Sequence, residues 1–367
     1  MFDTWLDAPS TQFETNDVFA DMDKLLDCAA THSDHSETTC RPHPDVIALL
    51  INSGIPGTFV QSRWAEGAFN AVTAAVLAIS TACPATGWLA SVYAYSARII
   101  DFLDEEVSTS LAGDPSSPAL IAAALPPQGR AVRDGDDWVL SGAWTYVTGA
   151  RDADWVVLAA LTDHAPRYFV VGRAAVSIVG EWNPLGMRGT DTTGVVADSV
   201  RVSHDRSVSI PDVMAGRAAG DRRLTPMSIT AGLTFLGPLI GTTHAIAERY
   251  LRTLKEPDDI AANKVGRTLA SLSRDTRELH RIADGLDEGA PTMGAGGAIS
   301  LLAHSSRLSL NDIVGQVSTG SFAGPSTTQK LMRDALTIAS HKYFLNSDRG
   351  FGPYGLSALE TTHTREG

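Results

Sequence analysis

The chain has 367 residues, long enough to bury a sizeable core and to divide into two or three domains. It is 44% hydrophobic and 19% charged, ordinary for a globular protein. The formal net charge is −13 and no run of Lys and Arg occurs, which argues against an electrostatic grip on nucleic acid or an anionic membrane.

In chain order, MFDTWLDAPSTQFETNDVF is acidic and lacks the basic start and apolar middle of a signal peptide. Cys28, Cys40 and Cys83 are odd in number and have no Cys-x-x-Cys spacing. A disulfide framework, a zinc knuckle or any other metal site is therefore not expected, and a reducing cytoplasm is. PDVIALLINSG (44–54) has the apolar spacing of a helix and a Ser-Gly stop. EGAFNAVTAAVLAISTA (66–82) has small residues on several faces, which predicts a helix packed on more than one side. Pro84 ends it, and ATGWLASVYAYSARIIDFLDEEV (85–107) reads as the next helix.

From Ala112 the chain becomes rich in Pro and Gly and turns extended. The runs WVLSGAW, WVVLAAL, YFVVG, AVSIVG and GVVADSVRVS follow, separated by turns. They predict a small antiparallel sheet structure. Parallel pairing is not expected, because no helical segment long enough for a crossover lies between the runs. After Pro211 four long helical segments, 224–256, 258–289, 296–319 and 327–347, predict an up-down bundle, and no apolar stretch is expected to span a membrane. The fold class is α+β and mostly helical: a helical domain at 1–112, a β domain at 113–212 and a four-helix bundle at 213–367.

Four stretches carry a family resemblance. They are CPATGWLASV (83–92), GDDWVLSGAWTYVTGARDADWVVLAA (135–160), WNPLGMRGTDTTGVVADSVRVS (182–203) and LMRDALTIASH (331–341). In this order they resemble the acyl-CoA dehydrogenase fold, and within it the two-component flavin-dependent monooxygenases. The resemblance runs from about residue 40 to the C-terminal helices. It implies reduced FMN or FAD as cosubstrate, delivered by a separate NAD(P)H-flavin reductase, and a small-molecule substrate. It also implies a C4a-hydroperoxide formed with O₂ and a homotetramer. Specialised metabolism, such as antibiotic biosynthesis, is the expected setting.

The same resemblance marks residues. Thr148 and Gly149, between two strands, would meet the flavin edge; read alone, Thr148 is a turn residue satisfying its own backbone. Read alone, Trp144 and Trp155 are core or edge-strand aromatics; the resemblance matches Trp144 to the tryptophan that supports the flavin's dimethylbenzene ring and leaves Trp155 as read. Thr190 and Thr192 offer hydroxyls for a phosphate or ribityl oxygen, or else form a β-turn. Arg188 reads as an ion-pair residue. Arg267 or Arg274 of a neighbouring subunit would suit the flavin phosphate, or each lies on a solvated helix face. Trp88, Tyr93 and Tyr95 would wall the substrate pocket. His341, seven residues after Asp334, stands where the family's active-site histidine lies, as base or hydrogen-bond partner.

The fold hosts two chemistries, and the sequence separates them. A dehydrogenase needs a carboxylate to take the substrate's α-proton. In the commonest branch that position falls here at Ala323, and no carboxylate lies between Asp312 and Asp334. Glu248 is the alternative base and keeps a desaturase as the second reading. A flavin-free cyclase or isomerase is a third, and a non-catalytic helical scaffold a fourth. LAGDPSSPALIAA stands in place of the dehydrogenases' Thr-Glu-Pro segment, which favours the oxygenase. Val202-Ser203 replaces the usual Val-Pro, and RWAEGAF replaces a Gly-Gly loop.

Overall fold

A computed structural model describes residues 19–60, 68–254, 259–289, 292–322, 324, 326–352 and 354–356. The N-terminal part consists of α1 (Met22–Thr31), α2 (Ser33–Thr39), α3 (Pro44–Asn52), α4 (Ala68–Ala82), α5 (Pro84–Ala97) and α6 (Glu105–Leu111). His43 caps α3 by accepting the Asp45 amide, with Pro44 in the first turn. The small residues of α4 and α5 serve the close approach expected of them: a Cβ on Gly87 would come 2.0 Å from Ser80 Oγ. The expected helix at 85–107 instead breaks after Ala97 into the 3₁₀ turn Ile100–Phe102 and then α6. Position 323 lies outside the described residues.

The middle of the chain forms β1 (Gly113–Asp114), β2 (Ser117–Pro118), β3 (Ile121–Asp134), β4 (Asp137–Val147), β5 (Trp155–Leu161), β6 (Arg167–Gly172), β7 (Ser177–Val179), β8 (Thr193–Ser203) and β9 (Ser207–Ser209). β1 pairs with β2, and the others make one sheet in the order β7-β8-β4-β3-β5-β6-β9. The wholly antiparallel expectation is corrected here, because β3 and β5 pair in parallel from Ile121↔Trp155 onward. A helical crossover is not needed. Antiparallel β4 has already returned the chain to the start of β3, and the loop 148–154 only has to cross beneath that end. Asp154 fixes it there: its carboxylate accepts the Leu120 amide at 2.9 Å and its own amide donates to Leu120 O at 2.8 Å.

The C-terminal part contains α7 (Ile210–Met214), α8 (Met227–Thr230), α9 (Leu233–Leu251), α10 (Asp259–Asp287), α11 (Thr292–Val314), α12 (Thr327–Ala339) and α13 (Lys342–Leu345). The stretch Met227–Leu251 has the length and apolarity of a membrane span, yet 78% of its apolar window is buried inside the fold. It is the bundle's central helix, packed on α4, α5, α10, α11 and α12. One core runs from α1 through one side of the sheet into the bundle. A second core fills the space between the sheet, the end of α5 and α7. The last long helix ends at Ala339, earlier than its periodicity implied. His341 is in extended conformation and caps α13 through its side chain.

Candidate active site

Four elements from distant parts of the sequence meet at one place. α5 brings Trp88, the loop after β4 brings Thr148, the segment before β8 brings Thr190 and Thr192, and the break between α12 and α13 brings His341. Trp88 Nε1 faces Thr148 Oγ1 at 3.4 Å. Thr148 and Thr192 hydroxyls lie 2.9 Å apart, as do those of Thr192 and Thr190, and Thr190 donates to Met187 O at 2.9 Å. His341 lies edge-on to the Trp88 indole at 5.5 Å between ring centroids. Phe235 packs on His341 at 4.3 Å and Tyr343 packs on Phe235 at 5.1 Å.

The polarity of the hydroxyl chain is set from its far end. A carbonyl only accepts, so the Thr190 proton is committed to Met187 O. Thr190 must then accept from Thr192, and Thr192 from Thr148, because each hydroxyl has one proton. Thr148 is left as an acceptor, with its one protein N–H contact, from Trp88, at the long distance of 3.4 Å. It suits a bound group that presents an N–H; at N5 a reduced isoalloxazine carries one and an oxidised isoalloxazine does not.

Two loops carry this chain, and they are tied together. Gly149 N–H donates to Thr190 O at 3.3 Å. Arg151 pairs with Asp191 at 3.1 Å. Burial raises the Asp191 carboxyl, and Arg151 opposes that without cancelling it. Gly149 has φ +67, and a Cβ there would lie 2.2 Å from the Tyr93 hydroxyl, which donates to Gly149 O at 2.8 Å. Glycine is required at that turn on both counts.

His341 differs from the expectation of a base near neutral pKa. Burial pushes its imidazole down to about 4. Its Nδ1 accepts the Tyr343 amide at 3.3 Å. The neutral ring therefore carries its proton on Nε2 and acts as a donor around pH 7.

Several assignments change. Trp144 is 1% exposed, donates to Ala159 O at 2.7 Å and fills the space over Gly129 and Gly142. It is a sheet-core residue and cannot support a bound ring. Beyond it the β4–β8 register shifts, and Tyr146 stands 77% exposed with φ +59. That conformation is rare for an aromatic residue and leaves Tyr146 exposed two positions before Thr148. Tyr93 is fully buried and positions Gly149 rather than walling a pocket. Tyr95, two helical turns from Trp88, packs on Phe59 away from the cluster.

Arg267 and Arg274 contribute nothing to the cluster within their own chain. Both lie on α10, where Arg267 pairs with Asp312 at 3.6 Å and Arg274 with buried Asp275 at 2.8 Å. Arg188 donates to Glu37 O at 2.8 Å and to Asn183 Oδ1 at 2.6 Å, and lies 3.8 Å from the Glu37 carboxylate, consistent with the ion-pair reading. Trp155 starts an internal strand, packs against the second core and lines an open cleft of about 400 Å³ with Arg201 and Arg206, which shares no residue with the cluster. Glu248 lies thirteen residues beyond Phe235 on α9, roughly 20 Å along the axis, beside Arg252. Phe235 and Tyr343 were missed. Phe235 stands in a largely apolar helix whose sequence does not separate lining from core, whereas the His-x-Tyr spacing of 341–343 was an available signal.

The residues fit a flavin: a buried acceptor hydroxyl and an aromatic wall carrying an imidazole donor. The chain has the acyl-CoA dehydrogenase-like fold of flavin-dependent monooxygenase oxygenase components. Among solved structures, the 3-HSA hydroxylase of Rhodococcus sp. RHA1 superposes with a TM-score of 0.82 at 19% identity, over 92% of this chain and 96% of that one. XiaF from Streptomyces sp., in complex with FADH2 and glycerol, superposes with a TM-score of 0.77 at 20% identity, over 92% of this chain and 94% of that one. In sequence, the chain is 23% identical to a pigment production hydroxylase of Rhodococcus sp., over 92% of this chain and 94% of that one. It is 26% identical to the oxygenase component of an FADH(2)-dependent resorcinol hydroxylase of Rhizobium sp., over 42% of this chain and 39% of that one. No family model matches the chain.

Proposed function

We propose that this protein is the oxygenase component of a two-component flavin-dependent monooxygenase, acting on a small aromatic or amine substrate. Reduced FMN or FAD reaches it by diffusion from a separate NAD(P)H-flavin reductase. Cytoplasmic location, a homotetramer and a role in specialised metabolism go with the reading. When bound, the reduced flavin would supply two electrons to O₂, so that one oxygen atom goes to the substrate and the other to water. The rest is done by the chain. Thr148 accepts an N–H from the flavin edge, Trp88 and Phe235 exclude water and present aromatic faces, and His341 Nε2–H donates to a substrate or oxygen-bearing group. Exclusion of water matters because a reactive oxygen donor is lost to side reactions in its presence.

The carrying observation is that the cluster is built from hydroxyls, an indole and a neutral imidazole, that the neighbouring carboxylate Asp191 is held by Arg151, and that Glu248 lies roughly 20 Å from Phe235 along α9. A dehydrogenase would need a carboxylate at the cluster. The experiment is an anaerobic titration with reduced FMN and FAD, followed by turnover under ¹⁸O₂ with a reductase and a panel of phenols and amines. Tight binding of reduced flavin and one ¹⁸O in the product support the proposal. Failure to bind flavin in either redox state, or oxygen uptake that yields only hydrogen peroxide across the panel, counts against it.

A further inference from the structure

The segment CAATHSDHSETTCRPHPD, residues 28–45, holds three of the chain's ten histidines outside the flavin cluster. The fold gathers them. His32 lies between α1 and α2, His35 is in the first turn of α2, and His43 caps α3, which folds back onto α1. The His32 and His43 rings stack with centroids 3.6 Å apart, and His35 meets His43 edge-on at 4.9 Å. One ligand atom each from His32, His43 and Asp45 lie within 4.8 Å of one another. His43 Nδ1 is 3.7 Å from the Asp45 carboxylate, whose 72% exposure leaves the cluster open to entry of an ion.

We propose that His32, His43 and Asp45, completed by His35, bind one divalent transition-metal ion of the zinc class. Two or three imidazoles with one carboxylate are a borderline-soft donor set that suits Zn²⁺ rather than Mg²⁺ or Ca²⁺. In a tetrahedral site with bonds of about 2.0–2.2 Å the donor atoms stand roughly 3.3–3.5 Å apart. Loading therefore draws the three groups together and turns the two rings out of their stack. The ion takes the His43 lone pair that now accepts the Asp45 amide at 3.2 Å, a long and weak cap. The cysteine spacing gave no reason to expect a metal, and none of the proposed ligands is a cysteine.

The location ties the ion to the cluster's support. α2 lies between His32 and His43 and presses on the turn that carries Thr190: a Cβ on Gly189 would lie 2.7 Å from Ser36 Cβ. Glu37 of α2 accepts from Arg188 through its main chain and pairs with Arg333 at 2.8 Å. An ion joining the two ends of α2 would stiffen this buttress.

The test uses the full chain without a histidine tag, stripped with a chelator and titrated calorimetrically with Zn²⁺ and separately with Mg²⁺. About one Zn²⁺ per chain at micromolar affinity or tighter is expected, with no Mg²⁺ binding in that range. Co²⁺ in the same site should give the intense visible bands of tetrahedral coordination. His32→Ala and His43→Asn should each weaken Zn²⁺ at least tenfold, and asparagine keeps a cap for α3 so that the second variant folds. His304→Ala, on α11, should leave it unchanged. No stoichiometric Zn²⁺ binding, or affinity unchanged from the wild type in both ligand variants, overturns the proposal.

Discussion

Asp334 Oδ1 accepts the Met187 amide at 2.5 Å across 147 positions of sequence. The side chain has no exposure, and its other oxygen holds Lys330 Nζ at 2.7 Å. The contact fastens α12 to the loop before β8. Gly186 makes room for it, since a Cβ there would lie 2.2 Å from Arg333 O. Met187 O is the acceptor that ends the hydroxyl chain, and His341 follows Asp334 by seven residues. One buried carboxylate therefore sets the hydroxyl chain and the imidazole against each other.

Removing that carboxylate should unfold more than it inactivates. Asp334→Ala leaves the buried Lys330 charge without its partner and is expected to cost about 3–5 kcal/mol. Asp334→Asn, which keeps an acceptor for Met187, should cost less. Urea unfolding at pH 7 measures both, and a loss below about 1 kcal/mol for the alanine variant would contradict the anchoring role.

Thr190→Val deletes the proton sink. Thr192 can then no longer donate to Thr190, and Thr148 is released from its acceptor orientation. The preference for reduced over oxidised flavin should fall about tenfold, the worth of roughly one hydrogen bond, whereas Thr190→Ser should retain it. Anaerobic fluorescence titrations with the two redox forms read this out, and an unchanged ratio in the valine variant would refute the assigned polarity.

His341→Asn keeps an acceptor for the Tyr343 amide and loses the Nε2–H. The variant should fold and bind flavin normally, with formation of oxygenated product down on the order of 100-fold and more hydrogen peroxide released. The product-to-oxygen ratio is the measurement. Full coupling in the variant would remove His341 from the chemistry.

Acid should weaken the fold through buried imidazoles. Burial holds His341 and His244 at about 4, against 6.5 for an ordinary histidine. Below about pH 6.5 the unfolded chain takes up protons that the folded chain does not, so this contribution is complete above that pH and declines as pH falls toward 4. Urea midpoints at pH 7 and pH 4.5 should differ in that sense, and His341→Asn should shrink the difference. A midpoint that rises on acidification would be the wrong sign.

Much of the architecture was legible because helical and strand periods are local properties. The order of helices, strands and helices, the four long C-terminal segments and the Thr148-Gly149 turn all follow from spacing and turn chemistry. Trp144, placed against the flavin by the resemblance, is buried instead, in keeping with the core reading of its residue pattern alone. A shift between Trp144 and Val147 left the tryptophan inside and put Tyr146 outside. The parallel β3–β5 pair was missed because an antiparallel strand can do the work of a crossover helix. Tyr93 and Tyr95 share a helix with Trp88, but only Trp88 has the rotation and height to meet Thr148.

By itself, then, the sequence determined the element types and their order, since each depends on neighbours a few residues away, while the candidate site residues rested on the family resemblance. The tertiary structure alone decided which of those side chains meet. The direction of the hydroxyl protons depends on a carbonyl at Met187, and the state of His341 on burial against Phe235 and on the Tyr343 amide. Those are consequences of desolvation and contact between distant segments, and neither leaves a trace in local spacing.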